Sequence, residues 1–243
     1  MTLPARARRR LWNANLHYHP VILQAIPPGA QRVVDVGCGD GILSAQLIEA
    51  GVPHVVGLDA DADVLSRARA RHRGVPVEWM HGDVFEGPLA PGSFDAVVSV
   101  AALHHMNAEL GLSRFAELVR PGGVVAVIGL AVNDWRDLPL ALPGDTVRLL
   151  LQLMPWHWQH SAPIAWPPPA THREMKRIAK RVLPGVRYRR HLLGRYSLLW
   201  TRPEVTDDES SSQGAHHPTG KRTRLLLCSA VLSLSVFPGI GFS

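Results

Sequence analysis

The sequence predicts an α/β fold with a mostly parallel sheet and helices on both faces, and three observations carry that prediction. Residues 33–41, Val-Val-Asp-Val-Gly-Cys-Gly-Asp-Gly, read as a buried strand entering a glycine-rich turn, with a helix following from Ile42. A second apolar run, Val55-Val56-Gly57-Leu58-Asp59, ends in a carboxylate 20 residues after Gly39. A third, Phe94–Val100, is apolar enough to be buried on both faces, as central strands of parallel sheets are. Helical periodicity fills the intervals between strands, which is the alternation of an α/β protein.

Taken in order, Val21–Ile26 reads as a helix stopped by Pro27-Pro28-Gly29, and Val33–Val36 as the first strand. Glycines at 37, 39 and 41 permit positive φ and carry no Cβ, so a ligand can lie directly on the backbone. The helix after them offers unpaired N–H groups and the positive end of its dipole. The spacing is G-x-G-x-G and not the G-x-G-x-x-G/A of dinucleotide-binding folds, because Ile42 stands where the third glycine would pack.

Asp59, at the tip of the second strand, suits a ribose diol; alternatively it caps the helix 62–71, although Asp61 is better placed for capping. A strand over Val75–Met80 leads to His81-Gly82-Asp83-Val84. There Asp83 can either accept from an exocyclic amine or make an Asx turn. Leu110, Phe115, Leu118 and Val119 give a helix over Asn107–Val119, stopped by Arg120-Pro121-Gly122-Gly123, and Val124–Leu130 supplies a fifth strand.

Further on, Val147–Met154 has the pattern of an amphipathic helix and Met175–Val182 that of a basic one. Val186–His191 and Tyr196–Arg202 read as an antiparallel pair. Beyond Pro203, residues 204–243 are first acidic, then Ser- and His-rich, then apolar from Leu225. A tail anchor needs about 20 strongly apolar residues. Four serines and Pro238-Gly239 interrupt this one, so a disordered extension is expected and not a membrane anchor.

The chain has 243 residues, 46% of them hydrophobic, enough for one α/β core. Its two cysteines, Cys38 and Cys228, give no disulfide framework, and Arg6 to Arg10 lead into no apolar signal, so a cytoplasmic protein is expected. The net charge is +6, yet residues 33–130 hold six bases against twelve acids. The flanks are therefore basic. They either grip a polyanion or reflect an Arg-rich composition, 23 of the 26 bases being Arg; the second reading is preferred, and no nucleic-acid partner is expected.

The glycine loop preceded by Asp35, the acid Asp59, the Gly-Asp-Val of 82–84, the strand 94–100 and the Pro-Gly-Gly turn together resemble the class I S-adenosylmethionine-dependent methyltransferases. The resemblance spans residues 33–130 and implies a Rossmann-like, seven-stranded, mostly parallel sheet in the order 3-2-1-4-5-7-6. It implies S-adenosylmethionine as cofactor. Asp35, Gly37, Cys38, Gly39 and Gly41 would then hold the methionine moiety, Asp59 with Ala60 the ribose, Asp83 and the Val84 backbone the adenine. Ser99 and Val100 would line the sulfonium end.

It also implies three regions: a helical arm over residues 1–32, the methyltransferase domain over 33–203, and a substrate cap within it over 131–171. In the arm, Trp12, His17 and Tyr18 either close over the site or pack. Trp135 and Trp156 in the cap either contact the acceptor or pack at the surface.

For chemistry, His104 and His105 follow the fourth strand, where cofactor and acceptor should meet; one of them is either a general base or a structural group. Being adjacent, on a helix or strand they would point different ways, and no metal site is expected. The position of an [Asp/Asn]-Pro-Pro-[Tyr/Phe] run, which the nucleobase-amine enzymes resemble one another in, reads Ser99-Val100-Ala101-Ala102. The context resembles enzymes that methylate small metabolites, so a small organic acceptor is expected. The alternatives are RNA or protein as acceptor, using the basic flanks, and a cofactor-binding module without catalysis. The sequence does not fix the oligomeric state.

Overall fold

The computed structural model describes residues 13–132, 170–192 and 194–204. Seven strands form one sheet: β1 (Arg32–Val36), β2 (His54–Asp59), β3 (Val77–His81), β4 (Phe94–Val100), β5 (Val119–Leu130), β6 (Arg187–Arg190) and β7 (Arg195–Thr201). Their order is β3-β2-β1-β4-β5-β7-β6, with β7 antiparallel to both neighbours and the first five strands parallel. This is the Rossmann-like arrangement that the resemblance implied. The helices are α1 (His19–Ala25), α2 (Ile42–Glu49), α3 (Ala62–Arg71), α4 (Ala108–Leu118) and α5 (His172–Val182), with 3-10 turns at Leu16–Tyr18 and Leu103–His105.

Successive side chains of a strand face opposite sides, and both sides here are covered. Val33, Val55, Ala96 and Val98 pack with Ile22 of α1 and with Leu43 and Leu47 of α2. Val34, Val36, Val56 and Val97 pack on the other side with Phe115 of α4 and Met175 and Ala179 of α5. Parallel connections leave the tips of β1, β2, β3 and β4 at one end of the sheet, which is where ligands bind in open α/β folds.

Several boundaries differ from expectation, each for a local reason. The first helix starts at His19, two residues early, because Pro20 is tolerated in a first turn. β3 starts at Val77 because Val75 is still held in the turn closing α3, its N–H donating to His72 at 2.9 Å. α5 starts at His172, earlier than its apolar spacing implied, because Thr171 and Glu174 form a reciprocal capping box.

The Arg120–Gly123 turn is a bulge within β5: the pairing jumps from Phe94–Val119 to Ala96–Val124. A Cβ on Gly123 would lie 2.7 Å from the Asp95 carbonyl oxygen, which explains the glycine. Arg120 Nε donates to Asp95 Oδ1 across the bulge. Among the described residues, no helix is long and apolar enough to cross a membrane. Trp12, the region of Trp135 and Trp156 with its expected helix at 147–154, and the extension from 205 onward lie outside the described residues.

Candidate active site

The loop after β1 is fixed from below by β2. The N–H groups of Gly37 and Cys38 both donate to the Leu58 carbonyl, at 2.8 and 3.0 Å. Gly37 has φ +71, and a Cβ there would lie 2.2 Å from that of Ala102. Gly39, at φ +55, would meet nothing within 4 Å, so it faces open space. That space is a cavity of about 520 Å³ above the strand tips.

Acidic groups dominate one part of its wall. Asp59 Oδ2 accepts from the Gly39 N–H at 2.8 Å and Oδ1 from the Asp61 N–H at 3.0 Å, so both oxygens are oriented by backbone. Asp61, as expected, is the cap of α3, accepting from the N–H groups of Asp63 and Val64. Asp83 lines the cavity beside Gly82 and Val84, and its Oδ1 also accepts from the Phe85 N–H at 2.9 Å. The Asx turn and the place in the wall are therefore both present.

Asp35 is buried in the cavity floor and accepts from Ser44 Oγ at 2.7 Å. Burial pushes its carboxyl up to about 7; the Ser44 hydrogen bond opposes this and the Asp59 charge adds to it. Cys38 also lines the cavity, and burial, then the Asp35 and Asp59 charges, push its thiol far up. A thiol so held is no nucleophile.

His104 and His105 both line the same cavity. They sit in the 3-10 turn Leu103–His105, with ring centroids 4.1 Å apart. His104 Nδ1 is buried with no hydrogen-bond partner. Burial, then the His105 and Arg195 charges, hold its pKa down to about 4, so the imidazole is neutral. Among the described residues, no group of three or more His, Cys, Asp or Glu is clustered to hold a metal ion.

Ala60 and Val100 line the cavity; Gly41 and Ser99 do not. Gly41 opens α2 against Trp79, whose ring a Cβ there would meet at 2.3 Å. Ser99 Oγ donates to the Val36 carbonyl at 2.9 Å and ties β4 to β1. His17 and Tyr18 also miss the wall. The Tyr18 hydroxyl donates to the Leu192 carbonyl at 2.9 Å and its ring lies 4.8 Å from that of His191. The arm's contribution comes instead from Asn15, Leu16 and His19, which the sequence reading missed, as it missed Arg195, Met106 and Ala101. Ala101 has φ +55, an uncommon conformation for a residue with a side chain, directly after β4.

Comparison with known proteins agrees with this architecture. Residues 33–123 match the family described as a methyltransferase domain. An uncharacterised methyltransferase of Mycobacterium tuberculosis H37Rv is 42% identical over 193 residues, covering 79% of this chain and 98% of the relative. A ubiquinone biosynthesis O-methyltransferase of Dechloromonas aromatica is 32% identical over 160 residues, covering 60% of this chain and 67% of the relative. Among solved structures, the S-adenosylmethionine-bound amino pentose methyltransferase CalS10 of Micromonospora echinaspora superposes with a TM-score of 0.53 at 19% identity, over 82% of this chain and 95% of that one.

The chain belongs to the class I S-adenosylmethionine-dependent methyltransferases. It is a methyltransferase that uses S-adenosylmethionine as cofactor. The residues present fit that molecule: the open space over Gly39 admits backbone contact, and a carboxylate oriented at the tip of β2 suits a diol. An acidic wall suits a molecule carrying a sulfonium and an ammonium group.

Proposed function

We propose that this enzyme methylates an O, N or C nucleophile of a small organic acceptor, in the cytoplasm, using residues 33–203 as its catalytic domain. The observation that carries the reading is His104: a neutral imidazole whose buried Nδ1 lacks a partner, in the wall that also holds Asp59. In this reading Asp59 receives the ribose hydroxyls, Asp83 and Val84 the adenine, and Asp35 with the glycine loop the methionine moiety. S-adenosylmethionine, when bound, would supply an electrophilic methyl to the acceptor's nucleophile and be left as S-adenosylhomocysteine. His104 accepts the proton that the acceptor's nucleophile gives up. Alignment of acceptor and methyl supplies much of the remaining acceleration.

A relative named for ubiquinone biosynthesis and a structural neighbour named for an amino pentose support a small acceptor. The buried free thiol of Cys38 supports a reducing compartment. A second reading, with RNA as acceptor, draws on the exposed Arg173, Lys176, Arg177, Lys180 and Arg181 of α5. The test is S-adenosylhomocysteine release with panels of small hydroxy, amino and carbon acids, RNA and protein. Mass spectrometry should find a singly methylated small product. Turnover confined to RNA, steeply weakened by salt, would replace this reading with the second.

A further inference from the structure

We propose that His72 is a positioning residue for the cofactor. It takes no place in the cavity wall and acts through Asp40, holding the second half of the glycine loop in the shape that receives the methionine moiety. This rests on the placement of that moiety in the proposed function above and adds to it a residue from a different element.

The loop from Gly37 to Gly41 is tied down in two halves. In the first, the N–H groups of Gly37 and Cys38 donate to the Leu58 carbonyl and that of Gly39 to Asp59, so β2 and its tip hold them. In the second, the Gly41 N–H donates back to the Cys38 carbonyl at 2.9 Å, and the outside support comes from α3 and β3. His72 caps the C-terminal end of α3 and is buried. Its Nε2 lies 3.0 Å from the Asp40 carbonyl oxygen. A carbonyl can only accept, so this nitrogen carries a proton and donates it. The Trp79 ring of β3 packs against Gly41, where a Cβ would meet it at 2.3 Å, and against Gly57 of β2, where a Cβ would meet it at 2.8 Å. The His72 and Trp79 rings stack with centroids 6.0 Å apart. Arg69 Nη2 donates to the Trp79 carbonyl at 2.8 Å, which joins α3 to β3 and fixes the pair.

The peptide between Asp40 and Gly41 is where this support acts. Gly39 and Asp40 before it and Ile42 and Leu43 after it line the cavity, so a rotation of that peptide moves wall residues on both sides. Gly41, at φ +73, has the wide conformational freedom of a glycine, and the loop does not set the peptide's orientation by itself. The hydrogen bond from His72 selects the orientation in which the Asp40 carbonyl points to the end of α3. With that donor removed, the carbonyl regains a partner by turning toward water in the open cavity. His72 prevents that turn, and the wall is in its binding shape before any ligand arrives.

The test uses the full chain and two ligands: S-adenosylhomocysteine, and methylthioadenosine, which has the same adenine, ribose and sulfur but no amino acid portion. His72→Leu, which has no donor, should bind S-adenosylhomocysteine at least tenfold more weakly than the wild type, and methylthioadenosine less than threefold more weakly. His72→Gln, whose amide can donate to the same carbonyl, should bind both ligands within threefold of the wild type. Backbone amide exchange in the unliganded His72→Leu chain should quicken over residues 38–43 and keep wild-type rates in β1 and β4. Unchanged S-adenosylhomocysteine binding by His72→Leu overturns the proposal. Equal losses for the two ligands, or equal losses in the two variants, overturn it as well, because a role in general packing would give them. Should His72→Leu not fold, His72→Asn, with an amide too short to reach the carbonyl, must show the same split between the ligands, and equal losses there overturn the proposal. Failure of the wild type to bind S-adenosylhomocysteine removes the proposed function itself, and this inference with it.

Discussion

Asp59 and Gly39 are joined by a 2.8 Å hydrogen bond from the glycine N–H to Oδ2, so the acid at the tip of β2 and the glycine loop after β1 form one unit. The carboxylate proposed to receive the ribose thus also shapes the loop proposed to hold the methionine moiety. Asp59→Ala should therefore remove two things at once. Charge-assisted hydrogen bonds contribute roughly 1.5–3 kcal/mol each. The thermal stabilisation that S-adenosylhomocysteine gives the wild type should disappear at concentrations that saturate it, while Asp59→Asn, which keeps one acceptor oxygen, should retain part.

Gly37 and Gly39 separate folding from binding. Alanine at a positive φ costs about 1–2 kcal/mol at either site. Gly37→Ala adds a clash at 2.2 Å with Ala102, whereas Gly39→Ala enters open space. Thermal melts should show Gly37→Ala much the less stable of the two. Gly39→Ala should melt below the wild type by the positive-φ cost alone, yet bind S-adenosylhomocysteine at least tenfold more weakly, because its methyl takes up space in the cavity.

His104 gives a pH signature. With its pKa held down to about 4 by burial and by neighbouring cations, it stays an unprotonated base through the whole neutral range. The acid limb of kcat should fall near pH 4 and not near the ordinary histidine value of 6.5. His104→Gln should lower kcat by about 10²–10⁴-fold. The unfolded chain protonates this histidine first, so it also costs stability as the pH falls from 6.5 toward 4. His104→Gln should flatten that part of the acid unfolding profile.

Asp35 has the opposite sign. Its folded pKa is raised from 3.8 to about 7, so its contribution to stability is fully present below the unfolded value and is lost as pH rises through 7. Urea unfolding at a series of pH values should show the wild type losing stability relative to Asp35→Asn as the pH rises from 3.8 to about 7, and no further relative loss above that. Asn keeps an acceptor for the Ser44 hydroxyl.

Strands were legible where burial on both faces writes a mainly apolar run, as in Val33–Val36 and Phe94–Val100. Local signals were legible too, Asp61 as a cap being one, although the Thr171–Glu174 capping box shows that apolar spacing alone sets a helix start too late. Gly41 and Ser99 sit in the right motifs yet face Trp79 and the Val36 carbonyl, and a small residue's partner is not written in its neighbours. Arg195 and Asn15 are 180 residues apart and meet only because β7 inserts beside β5, so no local pattern could announce them. His104 and His105 share the cavity from the 3-10 turn after β4, and no periodicity in the sequence places both of them there.

The central claim is that this cavity holds S-adenosylmethionine, and calorimetric titration of S-adenosylhomocysteine into the wild-type chain tests it most directly. One site per chain with micromolar affinity, weakened at least tenfold in Asp59→Ala, is the predicted result. Folded wild-type protein that gives no binding heat and no thermal stabilisation with either ligand would contradict the account.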